Sequence, residues 1–148
     1  MTALRALVAS VAISMLMAAA SAAADRRISV SELDAMVRDH PLPAGETAVL
    51  IAAFPSGDNE LGVLVMSRNQ LRHHAHQDHV LYLARGHGLA RLENADGHIA
   101  TRAIKPGDIL TLPRGRQHAF EKTGEDNLVF LVLAGPGHDD LGDTTFHE

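Results

Sequence analysis

Apolar positions along the chain follow two different spacings. Val30, Leu33, Met36 and Val37 recur at helical intervals, one face of a 3.6-residue repeat. Ser29 and Glu32 stand three apart at the head of that run, the spacing of a capping box in which each side chain satisfies a backbone amide of the first turn. A short amphipathic helix is therefore expected to about Arg38, ending before His40-Pro41-Leu42-Pro43, where proline cannot continue it. Beyond it come short runs of β-branched and aliphatic residues at 47–53, 61–67, 80–84, 88–92, 98–104, 108–112 and 128–134. Turn-forming clusters at 55–59, 94–97, 105–108 and 123–127 separate them. Short, closely spaced strands with no long helix between them predict an all-β antiparallel double-sheet sandwich or barrel behind one N-terminal helix.

The first 24 residues have a different character. Arg5 precedes an apolar run from 6 to 20, and small residues, Ser21-Ala22-Ala23-Ala24, lead into Asp25-Arg26-Arg27. This is the three-part layout of a secretory signal peptide, with cleavage expected after Ala22 or Ala24 and export to the periplasm or beyond. The alternative is a retained membrane anchor, for which the run is short. The expected organisation is a leader at 1–24, helix and linker at 25–45, one β domain at 46–136 and a polar, acidic tail at 137–148.

Composition narrows the chemistry. Of 148 residues 46% are apolar, but with four Phe, one Tyr and no Trp the core must be packed by aliphatic side chains. The formal charge of -5 and the lack of a basic stripe exclude a nucleic-acid partner, and no membrane association is expected after leader removal. With no cysteine, any transition-metal site must use imidazole and carboxylate, and ten histidines are present.

Four of those histidines, His73, His74, His76 and His79, fall within seven residues. On an extended strand, side chains two apart share a face, so His74 and His76 would present their rings to one point. His79 follows after a short turn at Gln77-Asp78. A second segment, 107–118, runs as a strand into a Pro-x-Gly turn and delivers His118.

That second segment resembles the cupin motif G-x5-P-x-G-x2-H-x3-N, with Gly107, Pro113, Gly115 and His118 in place and Lys122 at the closing Asn. The first cupin motif, G-x5-H-x-H-x3-4-E-x6-G, is matched at His74, His76 and Gly86. Arg68 stands at its opening glycine, and His79 stands near its glutamate. The resemblance spans about 61–133. It implies a small jelly-roll barrel, often dimeric, with one divalent metal (Zn, Cu, Mn, Fe or Ni) in its mouth, here held by His74, His76, His79 and His118. His79 alternatively serves as a donor behind the ligands or turns away, and Asp78 is the alternative carboxylate. Export favours Zn, Cu or Mn over Fe.

The remaining histidines, His40, His87, His98, His138 and His147, have no companions in sequence and read as structural or solvated, and His73 as outward-facing. His138 with Asp139 and Asp140 is a weaker candidate for a second metal site. Tyr82 reads as a packing residue. Arg91, Arg102, Arg114 and Arg116 are candidate clamps for an anionic substrate. The implied function is a metal-dependent dioxygenase, isomerase or lyase acting on a small organic acid or carbonyl compound, and the alternative is a non-catalytic module that binds a metal or small ligand.

Overall fold

The computed structural model describes residues 28–135 and 141–148. The leader and the His138-Asp139-Asp140 cluster lie outside the described residues. Helix α1 spans Val30–Asp39, and its start is set by the capping box: the Ser29 amide donates to Glu32 Oε2 at 2.7 Å and the Glu32 amide donates to Ser29 Oγ at 3.2 Å. Leu33 is the buried residue of this helix. It packs with Val63, Val65, Ala84 and Val129 on the outer face of a sheet, and Arg85 ties the helix to that sheet through Asp34 at 2.8 Å.

Among the described residues ten strands follow: β1 (Ala48–Ser56), β2 (Asn59–Met66), β3 (Arg72–His74), β4 (His79–Arg85), β5 (Gly88–Glu93), β6 (Ile99–Ile104), β7 (Ile109–Leu112), β8 (His118–Lys122), β9 (Leu128–Ala134) and β10 (Thr144–Phe146). They form two antiparallel five-stranded sheets, in the orders β1-β2-β9-β4-β7 and β10-β3-β8-β5-β6. The antiparallel double sheet expected from the short strands, with the jelly-roll form that the cupin resemblance implies, is present. Its sheets face each other without closing into a continuous barrel.

Strand alternation explains the core. In β4, His79, Leu81 and Leu83 are buried while Val80 and Tyr82 are exposed, as a period of two requires. A register shift between Leu83 and Arg85 interrupts that period. Leu83 then packs between the sheets and Ala84 packs beneath α1. Phe120 and Phe130, with ring centroids 5.0 Å apart, bridge the sheets at the centre. Aliphatic residues do most of the remaining packing, as the scarcity of aromatics demands.

Residues 141–148, within the expected tail, carry regular structure. Leu141–Asp143 forms a 3₁₀ turn, and β10 pairs with β3 in the register Thr144↔His74, Thr145↔His73 and Phe146↔Arg72. Among the described residues no helix is long and apolar enough to cross a membrane.

Candidate metal centre

The site is built where β3, β4 and β8 begin or end. Opposite His118 on β8 lies Arg72 on β3, and the two-residue period puts His74 on the same inward face as Arg72. His79 opens β4 in the facing sheet and points inward with Leu81 and Leu83. The segment carrying His118 is docked onto the segment carrying His74 by the Pro-x-Gly turn, in which the Gly115 amide donates to the His74 carbonyl at 2.7 Å and the Arg116 amide to the Pro113 carbonyl at 3.1 Å. Gly115 holds a φ of +74°, and an added Cβ would meet nothing within 4 Å. Its requirement is therefore conformational rather than steric. Gly115→Ala is expected to cost about 1–2 kcal/mol of stability, measurable as a lowered denaturant midpoint at constant slope.

Three imidazoles gather inside. His74 and His79 are each 5% exposed and His118 is 2% exposed. The ring centroids of His74 and His79 are 4.2 Å apart and those of His74 and His118 are 5.2 Å apart. His118 Nδ1 lies 3.3 Å from the Arg116 carbonyl. A carbonyl oxygen only accepts, so Nδ1 carries the proton and Nε2 keeps a lone pair in the neutral ring. Burial depresses the His118 pKa to about 3, reinforced by the charge of the Arg72 guanidinium and by His74 and His79, against a small opposing effect of the Arg116 carbonyl. The ring is thus neutral near pH 7, the form that binds metal.

The spacing suits a shared ion. Metal–imidazole bonds of about 2.0–2.1 Å put a ring centroid about 3.2 Å from the ion, so two rings at tetrahedral or octahedral angles stand about 4.5–5.2 Å apart. The observed pairs match that range within a few tenths of an ångström. Among the described residues, however, no three His, Cys, Asp or Glu side chains are disposed, as they stand, to hold an ion. The three imidazoles are thus close neighbours of the right donor type, while their side chains as they stand do not form an ion-holding set.

His76 is placed elsewhere. Strand β3 ends at His74 and the chain bends at residues 75 and 76, so the alternation that would align His74 with His76 stops two residues too soon. The side chain of His76 is exposed, and its amide donates to Asp143 Oδ1 at 2.8 Å. Asp78 is also exposed and directed away from the cluster. It receives the Arg114 amide at 2.8 Å and the Arg114 guanidinium at 2.8 and 3.2 Å. Those bonds, side chain first and then backbone, lower its pKa to about 2. Arg114 is thus committed to Asp78, while Arg116 reaches the Asn94 carbonyl at 2.8 Å and Glu93 at 3.6 Å. Arg91 and Arg102 are exposed.

Two features escaped the sequence reading. Arg72 is inward-facing beside His118, a placement that its two-residue offset from His74 signals. His147, expected to stand alone, meets His73 with Nε2 and Nδ1 2.7 Å apart. Nothing local signals that pairing, because 74 residues separate the two.

No family model matches the chain. An acireductone dioxygenase of Bacillus mycoides is 33% identical over 64 residues, which is 43% of this chain and 38% of that enzyme. The chain thus matches well under two thirds of that relative's length. Among solved structures, a conserved protein with a double-stranded β-helix domain from Klebsiella pneumoniae aligns with a TM-score of 0.61 at 18% identity, covering 84% of this chain and 99% of that one. A cupin-2 domain from Rhodospirillum rubrum aligns with a TM-score of 0.53 at 22% identity, covering 65% and 63%. The two facing antiparallel sheets and these structural likenesses show that the chain has the fold of the cupin-2 and double-stranded β-helix domains.

Proposed function

We propose that this cupin-fold protein binds one divalent transition metal through His74, His79 and His118 and acts as a dioxygenase on a small anionic enediol or related carbonyl compound. The observation that carries the reading is the gathering of three buried imidazoles, one from each of three strands, with His118 held neutral and its Nε2 lone pair available. The acireductone dioxygenase likeness supports the reaction class. A bound ion in a three-imidazole site supplies Lewis-acid chemistry at its open positions.

The chain's own residues do the rest. The Arg116 carbonyl fixes the His118 tautomer, and Thr144 Oγ1, 3.2 Å from His74 Nδ1, orients the second ring. Arg72 adds a guanidinium on the inward face beside His118. Three neutral ligands leave an ion's double charge uncompensated, and with that cation nearby the interior favours an anionic substrate over a neutral one.

A second reading, a non-catalytic metal-holding module, draws support from the seal around the cluster. Exposures of 2–5% leave little room for exchange with solvent. The two readings separate when purified protein is loaded with Mn, Fe, Cu or Zn and oxygen uptake is followed with enediols, diketones and catechols. Uptake with one loaded metal is expected, and its loss in Arg72→Ala would assign the anion contact. Tight metal binding with no uptake from any substrate would leave the binding module.

A further inference from the structure

The outer face of the second sheet carries a cavity that the histidine cluster does not use. On β8, His118 and Phe120 face the other sheet, so Ala119 between them lies on the opposite face of the strand. Ala119 belongs to neither core cluster. Its cross-strand partner is Arg91 on β5, Arg91 pairs in turn with Thr101 on β6, and Leu89 pairs with Glu121. Alanine is the shortest side chain of that set, and the longer ones around it enclose a cavity of about 360 Å³.

The wall on the far side of β8 is the segment 67–69, which hydrogen bonds pin along the strand. The Lys122 amide donates to the Ser67 carbonyl at 2.8 Å, the Asn69 amide to the Phe120 carbonyl at 3.0 Å, and the Phe120 amide to Asn69 Oδ1 at 2.6 Å. Arg68 is thereby fixed opposite Glu121 and lines the cavity together with Arg91. Asn69 Nδ2, at the same wall, is buried with no hydrogen-bond partner.

Arg68 and Arg91 are both exposed, and among the described residues neither guanidinium has an ion-pair or hydrogen-bond partner. Glu121 lines the cavity too and pairs with neither. The cavity therefore sets two positive charges against one negative in a chain whose net charge is -5. Its floor, Leu89 and Ala119, is apolar. A guanidinium fork matches a carboxylate, and the volume lies near the lower end of small-molecule sites. We propose that this cavity binds a small organic acid, its carboxylate taken by Arg68 and Arg91 and its apolar body laid over Leu89 and Ala119. The site is separate from the histidine cluster and stands without the metal reading. It also gives a role to Arg91, one of the four arginines that the sequence offers as anion clamps.

The test is amide NMR of the full chain titrated with benzoate, with sulfate as the charged probe lacking an apolar body and benzyl alcohol as the apolar probe lacking charge. Benzoate is expected to give saturable shifts at Leu89, Arg91 and Ala119, and the other two probes much weaker ones. Arg68→Gln and Arg91→Gln should each weaken benzoate at least about fivefold, with thermal melts unchanged because both side chains are exposed. Ala119→Leu fills the floor and should abolish the shifts; if that variant fails to fold, the two arginine variants decide. His118→Ala should bind benzoate as wild type does. No saturable shift at these residues, sulfate binding as tightly as benzoate, or wild-type affinity in both arginine variants would overturn the proposal. Loss of benzoate binding in His118→Ala would place the acid at the histidine cluster and overturn it as well. None of these results bears on whether the histidines hold a metal.

Discussion

Replacing His118 by alanine is expected to lower divalent-metal affinity at least about a hundredfold, the largest effect of any single substitution in this chain. His118 combines three properties a ligand needs. Its ring is almost fully buried, its Nδ1 is committed to the Arg116 carbonyl, and its Nε2 is left with a lone pair. Its position comes from β8, paired to both β3 and β5, so neighbouring rings cannot move into its place without breaking the ladder. His118→Gln, which keeps most of the bulk and a polar end, separates loss of the ligand from loss of packing: it should fold as well as wild type and still bind poorly. His76→Ala is the matching control. Because His76 is exposed and joined to the rest through its backbone amide, its removal should leave affinity essentially unchanged. Isothermal titration with zinc measures all three variants. Wild-type affinity in His118→Ala would contradict the assignment, and a loss in His76→Ala as large as that in His118→Ala would return His76 to the ligand set.

Acid should destabilise the metal-free protein over a defined window. In the unfolded chain His118 titrates near its ordinary value of 6.5, whereas burial and the adjacent Arg72 charge hold it to about 3 in the folded state. Between those values the unfolded chain binds a proton that the folded chain refuses. The stability that rests on a neutral His118 is therefore complete above about pH 6.5 and declines as pH falls toward 3, at about 1.4 kcal/mol per pH unit. From pH 7 to pH 5 the expected loss from this group is about 2 kcal/mol, read as a fall in urea midpoint. His118→Gln should flatten that slope. A metal ion bound to the neutral ring should steepen it, since protons and metal then compete for the same nitrogen. A wild-type midpoint independent of pH between 7 and 5 would show that the ring is not buried in its neutral form.

What was legible in the sequence follows from how local each signal is. The start of α1 is written in two side chains three residues apart, and the structure builds both halves of that box. The strands with β-branched or aliphatic alternation, such as β4 and β9, were readable because burial on one face or both selects those residues. Strands β3 and β10 were not. Each is three residues long, β3 is Arg-His-His, and both exist through pairing with partners distant in sequence. That same long-range register places Asp143 and His147 beside the histidine segment, and no local pattern encodes it. The placement of His76 turns on the point at which β3 ends. A two-residue period predicts faces only while the strand lasts, and here it lasts to His74. Arg72 shows the opposite case: the period that marks His74 as inward marks Arg72 as well, so its position was available from the sequence before the fold was seen.

The location of the ion itself is the most direct question, and diffraction at a metal absorption edge answers it. Crystals of the protein loaded with zinc or cobalt should show one strong anomalous peak between the rings of His74, His79 and His118, about 2.0–2.1 Å from a nitrogen of each. A peak at the half-buried His73 and His147 pair instead, or no peak at the buried cluster, would contradict a metal centre built from these three histidines.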